Sequence, residues 1–148
     1  MEKNAVIQLK SFSDIDESDA IEVITPGKFI IKDNSYEVVY EESEISGMKG
    51  TTTTLKIEEE RFILERVGTT CTTMEFKIGE MGLSLYNTPY GMLHLHIDTK
   101  ILDINVDENG GFIYAKYLLG AEGQPPITTD IKVKIKVQKK VAICHFFV

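Results

Sequence analysis

His94, His96 and Asp98 alternate along one short run, His94-Leu95-His96-Ile97-Asp98. Alternate residues of a β-strand leave the same face, so two imidazoles and a carboxylate would converge there as the three protein ligands of a catalytic zinc do. Leu93, Leu95 and Ile97 form the opposite, apolar face of that run. If those three point to a core, the two histidines are simply solvated. A metal-assisted hydrolase at His94 and His96 is thus a third-ranked functional reading, and no bound metal or other cofactor is expected.

A second group of polar side chains surrounds a Gly-bracketed acidic turn. Tyr40-Glu41-Glu42-Ser43-Glu44 leads into Ser46-Gly47, and four consecutive threonines, Thr51 to Thr54, open the next strand. One face of that strand carries Thr51, Thr53, Leu55 and Ile57; the other carries Thr52, Thr54, Lys56 and Glu58. Threonine suits a pleated surface by propensity alone, so a solvent-facing ladder is the bland explanation. The functional one is that Tyr40, Glu42, Thr52 and Thr54 offer donors and acceptors to a ligand held inside a barrel. Arg66 shares its strand face with Phe62 and Leu64, which turns a guanidinium inward. A buried arginine needs a partner, and Glu42 or Glu44 would serve, as a structural ion pair in preference to an anchor for an anionic ligand. Tyr86 and Tyr90 flank a Pro-Gly turn and, with Phe112, Tyr114 and Tyr117, could line a cavity or plug a barrel. No Gly-rich phosphate loop, Gly-x-Ser-x-Gly elbow or cysteine beside a base occurs, so an enzyme is the less expected class.

The elements that must position these groups read as strands. Ile131, Val133, Ile135 and Val137 alternate with Lys132, Lys134 and Lys136, and Leu102, Ile104 and Val106 alternate with Asp103, Asn105 and Asp107. Turn signals recur at Thr25-Pro26-Gly27, Asp33-Asn34-Ser35, Ser46-Gly47, Ile78-Gly79-Glu80, Thr88-Pro89-Tyr90-Gly91 and Glu108-Asn109-Gly110-Gly111. Asn109-Gly110 is the strongest, since both residues accept the positive φ of a tight hairpin. Gly120 to Pro126 is expected to link the last two strands, and the acidic run Asp14 to Asp19 to form a loop. The pattern predicts about ten strands in an antiparallel meander with almost no helix. Closure into a barrel would remove the sheet edges, although periodicity leaves a sandwich open.

The chain has 148 residues, 43% hydrophobic and 26% charged, with a net charge of -7, which suits one globular domain over 1–148. Residues 1–60 carry 14 Asp/Glu against 6 Lys/Arg, a surface that repels nucleic acid and anionic membrane. The Lys132 to Lys140 stripe reads as an amphipathic outer strand. The first residues lack the features of a signal peptide, and no run approaches a membrane span. Cys71 and Cys144, far apart and without a Cys-x-x-Cys pattern, read as free thiols of the cytoplasm. The apolar residues Val141, Ile143, Phe146 and Phe147 of the extension 141–148 need cover, from the barrel itself or from a second copy in a homodimer.

The segments Tyr40-Glu41-Glu42-Ser43-Glu44 and Gly47-Met48-x-Gly50-Thr51-Thr52-Thr53-Thr54-Leu55, with Tyr86 and the Thr88-Pro89-Tyr90-Gly91 turn, resemble the YwiB-like family of functionally uncharacterised bacterial proteins. The resemblance runs to about residue 137. It implies a calycin-like barrel, the architecture of lipocalins and fatty-acid-binding proteins, and no established activity. His94-x-His96 and the 141–148 extension depart from the family pattern. The expectation is a calycin/lipocalin-like antiparallel barrel of about 8–10 strands, with non-enzymatic binding of a small, partly apolar ligand. Tyr40, Glu42, Thr52, Thr54, Arg66 and Tyr86 are its expected polar contacts. The alternative is a barrel filled solid by side chains that serves as an interaction or assembly module.

Overall fold

The computed structural model describes residues 1–13, 21–42, 49–69, 71–88, 91–121 and 123–138. The expected loop at Asp14 to Asp19, the Ser46-Gly47 turn, Glu44, Pro89-Tyr90 and the 141–148 extension lie outside these residues. Ten strands follow one another: β1 (Glu2–Ser13), β2 (Ile21–Ile31), β3 (Tyr36–Glu41), β4 (Thr52–Ile57), β5 (Arg61–Val67), β6 (Thr72–Lys77), β7 (Met81–Thr88), β8 (Gly91–Asp107), β9 (Gly110–Gly120) and β10 (Ile127–Val137). No described residue is helical. Each strand pairs antiparallel with its sequence neighbours, and β1 pairs with β10 from Ala5↔Val137 to Ser13↔Thr129. That last ladder decides between the two architectures, because it closes the sheet into a barrel.

Alternation sorts the side chains. On β10 Ile131, Val133 and Ile135 are buried, while Lys132, Lys134 and Lys136 are exposed. The wall is apolar inward and charged outward, the inverse of a barrel whose outer band faces lipid. Among the described residues no helix is long and apolar enough to cross a membrane.

β8 needs a correction to its phase. Leu95, Ile97 and Thr99 follow one parity, whereas Leu102, Ile104 and Val106 follow the other, yet all six belong to the same 17-residue strand. A register shift between Thr99 and Ile101 leaves Lys100 as the extra residue and flips the facing side chains. Both apolar sets can then meet the core: Ile97 is fully buried, and Leu102, Ile104 and Val106 pack against the central cluster.

Thr25-Pro26-Gly27, expected as a turn, lies within β2 instead. β3 pairs with β2 only from Lys28 to Ile31, so at Pro26 one side of the strand has no ladder for the missing N–H to interrupt. Gly27 serves a close approach: a Cβ there would meet the Val39 carbonyl oxygen at 2.8 Å. The β8–β9 hairpin forms as expected, but its positive φ falls on Gly110 (99°) and Gly111 (146°), not on Asn109. The Asn109 backbone N–H donates to Asp107 Oδ1 at 2.8 Å.

Aromatic rings pack inside the barrel near the start of β5 and the end of β6. Phe62 and Phe76, cross-strand partners, stack with centroids 4.4 Å apart, and Phe76 meets Tyr117 edge-on at 4.9 Å. Phe29 stacks on Tyr36 at 5.4 Å. Phe29, Phe62 and Phe76 are each fully buried, and burying such a ring is worth about 1.5–3 kcal/mol. Phe62→Ala should therefore lower the unfolding free energy by about 3–5 kcal/mol in urea titrations. Lys134→Ala on the outer wall should change it by no more than about 0.5 kcal/mol.

Candidate functional site

The opposite half of the lumen is polar. It lies at the end where β3, β5 and β7 finish and β4, β6 and β8 begin. Tyr40, Thr53, Arg66, Thr72 and Tyr86 are successive register partners across β3, β4, β5, β6 and β7, so they form one row around the wall. Glu42 sits just beyond β3, where its backbone N–H donates to the Thr51 carbonyl at 2.8 Å and carries the ladder one step further. Glu42 is only 6% exposed, and Tyr40, Thr51, Thr53, Thr72, Ser84 and Thr99 are buried as well. Each follows from alternation with apolar neighbours: Thr51 and Thr53 with Leu55 and Ile57, Thr72 with Met74 and Phe76, Thr99 with Ile97.

A hydrogen bond fixes part of this row: Thr53 Oγ1 donates to Glu42 Oε1 at 2.7 Å, and the Tyr40 phenol lies within the field of the same carboxylate. At the rim, the Thr51 and Thr69 hydroxyls are 2.9 Å apart, and Thr69 Oγ1 donates to the Lys49 carbonyl at 2.9 Å. These contacts tie the β3–β4 corner to the β5–β6 connection. Burial pushes the Tyr40 phenol well above its usual pKa, the Glu42 charge adds to the rise, and Arg66 partly opposes it. Tyr40 is thus a protonated donor sitting within the fields of both an acid and a base.

The remaining polar atoms are the informative ones. Glu42 Oε2, Arg66 Nε, Thr72 Oγ1, Ser84 Oγ and Thr99 Oγ1 are buried without a hydrogen-bond partner among the described residues. Each such atom costs about 1–3 kcal/mol relative to a satisfied one. They come from the β3 corner and from β5, β6, β7 and β8. Together they comprise one anionic acceptor, one cationic donor and three hydroxyls that serve as either.

Of the residues expected from sequence, Tyr40, Glu42 and Arg66 come together here. Tyr86 occupies the same row by register, while its side chain lies outside the described set. Thr52 and Thr54 fall on the outer face beside Lys56, and the neighbouring Thr51 and Thr53 point inward in their place. The signal was available: Leu55 and Ile57 share the parity of Thr51 and Thr53. Thr72, Ser84 and Thr99 were missed because no local motif marks a lone hydroxyl on an otherwise apolar face. Of the two partners expected for Arg66, Glu42 does not pair with it and Glu44 lies outside the described residues; no ion pair among the described residues involves Arg66 or Glu42.

His94 and His96 are exposed on β8, and Asp98 pairs with Lys100 at 2.8 Å. The described residues contain no group of three His, Cys, Asp or Glu arranged to hold a metal. Tyr117 faces the core, but Phe112 and Tyr114 lie on the outer wall, where Lys132 Nζ sits 5.7 Å from the Tyr114 ring and 5.8 Å from the Phe12 ring.

The raised Tyr40 pKa has a signed consequence for stability. In the unfolded chain the phenol ionises near its ordinary value of 10.0; in the fold it holds its proton longer. Its contribution to stability is fully present below that pH and is lost as the pH climbs toward the folded value. Unfolding free energies of wild type and Tyr40→Phe, compared from neutral to strongly alkaline pH, should therefore shift against the wild type once the pH passes 10. A difference that stays constant across this range contradicts a buried, protonated Tyr40.

Comparison with known proteins places the chain. It is 29% identical over 100 residues, 67% of this chain and 68% of the relative, to the "Uncharacterized beta-barrel protein YwiB" of Bacillus subtilis (strain 168). The crystal structure of the ywiB protein from Bacillus subtilis superposes with a TM-score of 0.80 at 22% identity, over 93% of this chain and 94% of that one, which shows a shared fold. The model of the family described as "Domain of unknown function (DUF1934)" matches residues 7–135. With that match spanning most of the barrel, the chain belongs to this YwiB-like family.

Proposed function

We propose that this protein is a non-enzymatic carrier or sensor of a small, partly apolar molecule, whose polar part is received at the Tyr40–Glu42–Arg66 end of the lumen. The observation that carries this reading is the set of five buried polar atoms without a hydrogen-bond partner among the described residues, Glu42 Oε2 and Arg66 Nε near Tyr40 and the hydroxyls of Thr72, Ser84 and Thr99 on β6, β7 and β8. A barrel selected only for stability would place apolar side chains there, as it does around Phe62 and Phe76. The stacked rings occupy the other half, so the ligand enters from the polar end. Leu95, Leu119, Pro125 and Ile127 line a cleft at the same rim, which suits the apolar portion. The closed ten-strand meander supports the calycin-like comparison, in which small barrels hold one ligand. The exposed free thiol of Cys71 supports a reducing, cytoplasmic setting.

A second reading rests on a different observation. Met81, Leu83, Met92 and Leu93 of the β7–β8 hairpin are large apolar side chains 45–64% exposed, which favours an assembly surface that pairs two copies.

Native mass spectrometry of freshly purified protein and a thermal-shift panel of amphipathic compounds test the first reading. Retained mass, or stabilisation that Arg66→Met abolishes, is expected. No retained mass and no shift with any compound rejects it. Sedimentation tests the second: Leu83→Asp should convert a dimer to a monomer, and a monomeric wild type ends that reading.

A further inference from the structure

We infer that the head group this barrel recognises is uncharged and carries a hydrogen-bond acceptor and a donor on one shared carbon, a carboxamide or lactam being the simplest form. The inference rests on the reading that the polar end of the lumen is a binding site, and it concerns what that site selects.

The unmet groups at this end have fixed and opposite demands. Glu42 Oε2 only accepts and Arg66 Nε only donates, whereas Thr72, Ser84 and Thr99 adapt to either need. Glu42 already takes the Thr53 hydroxyl on Oε1, which orients the free oxygen. Arg66 stands in register with Thr53 on one side and Thr72 on the other, and both it and Glu42 act on the same Tyr40 phenol. One anion, buried, and one cation, half-buried, therefore act on the same Tyr40 phenol without pairing with each other, and their charges offset before anything binds.

That balance sets the selection. A ligand carboxylate would satisfy Arg66 but set a second anion against Glu42, and an ammonium would satisfy Glu42 but set a second cation against Arg66. Like charges juxtaposed away from water are strongly disfavoured. An amide leaves the charge count unchanged: its carbonyl oxygen accepts from Arg66 Nε–H, its N–H donates to Glu42 Oε2, and the hydroxyls take what remains. A diol also carries both roles. Its rotors must be frozen to present them, while the planar amide presents them already fixed.

The test uses one alkyl tail with four heads: hexanamide, hexanoate, hexylammonium and hexane-1,2-diol, titrated into the full chain by calorimetry and NMR. Hexanamide should bind tightest, with hexanoate and hexylammonium at least about tenfold weaker. Glu42→Gln leaves the cation unbalanced and should turn the preference to hexanoate; Arg66→Gln should turn it to hexylammonium. A wild type that prefers hexanoate, hexylammonium or the diol overturns the head-group assignment while leaving the binding reading intact. If no member of the series binds but another amphipathic compound does, the assignment again fails alone. If nothing binds in either experiment, both fall. The wild-type series decides the matter even where a variant fails to fold.

Discussion

Everything in this molecule depends on the ladder that joins β1 to β10. Without its pairs, from Ala5↔Val137 to Ser13↔Thr129, the meander would be an open sheet with two bare edges and one face too apolar for water. With them, the inward face becomes an interior. Closure thus does two things at once. It removes the edges on which another chain could template, and it turns every inward side chain, apolar or polar, into a buried one.

The second effect explains why the lumen divides. Around Phe29, Phe62, Phe76 and Tyr117 the interior is filled by rings in van der Waals contact, and this half supplies the burial that holds the barrel together. Toward the other end the same inward positions carry Thr53, Arg66, Thr72, Ser84 and Thr99, together with Glu42 beyond the end of β3. Buried polar atoms without partners are destabilising, so the five among the described residues are a departure from what stability alone would select. Departures of that sort gather where a protein does its work. The family resemblance carries the barrel without carrying an activity, so the chemistry of this end rests on this chain's own residues.

The outer wall follows a simpler logic. Lys132, Lys134 and Lys136 keep β10 hydrated, and Lys132 lies across the Phe12 and Tyr114 rings, covering apolar surface with its stem while its charge stays in water. Lys56 and Arg61 pair with Glu65, Glu58 and Glu75 along β4 and β5, contacts that are half-exposed and worth little individually. The wall's charges stay hydrated; the apolar interior holds the barrel together.

Period-two alternation made the strand class, the antiparallel meander and most of the inward set readable from residue order, because a strand's two faces are a local property of the backbone. Leu55 and Ile57 even marked Thr51 and Thr53 as inward, and Phe62 with Leu64 marked Arg66. Order along the chain could not show that Tyr40, Thr53, Arg66 and Thr72 share one row, since that depends on the register of three separate ladders. Nor could it show that Lys100 is bulged, so that one strand turns both of its parities inward, or that Pro26 sits within a strand because β3 stops short of it. Pairing between distant segments settles those matters. The amino-acid sequence by itself determined which side chains alternate, and tertiary closure decided which of them meet and which polar atoms are left without a partner.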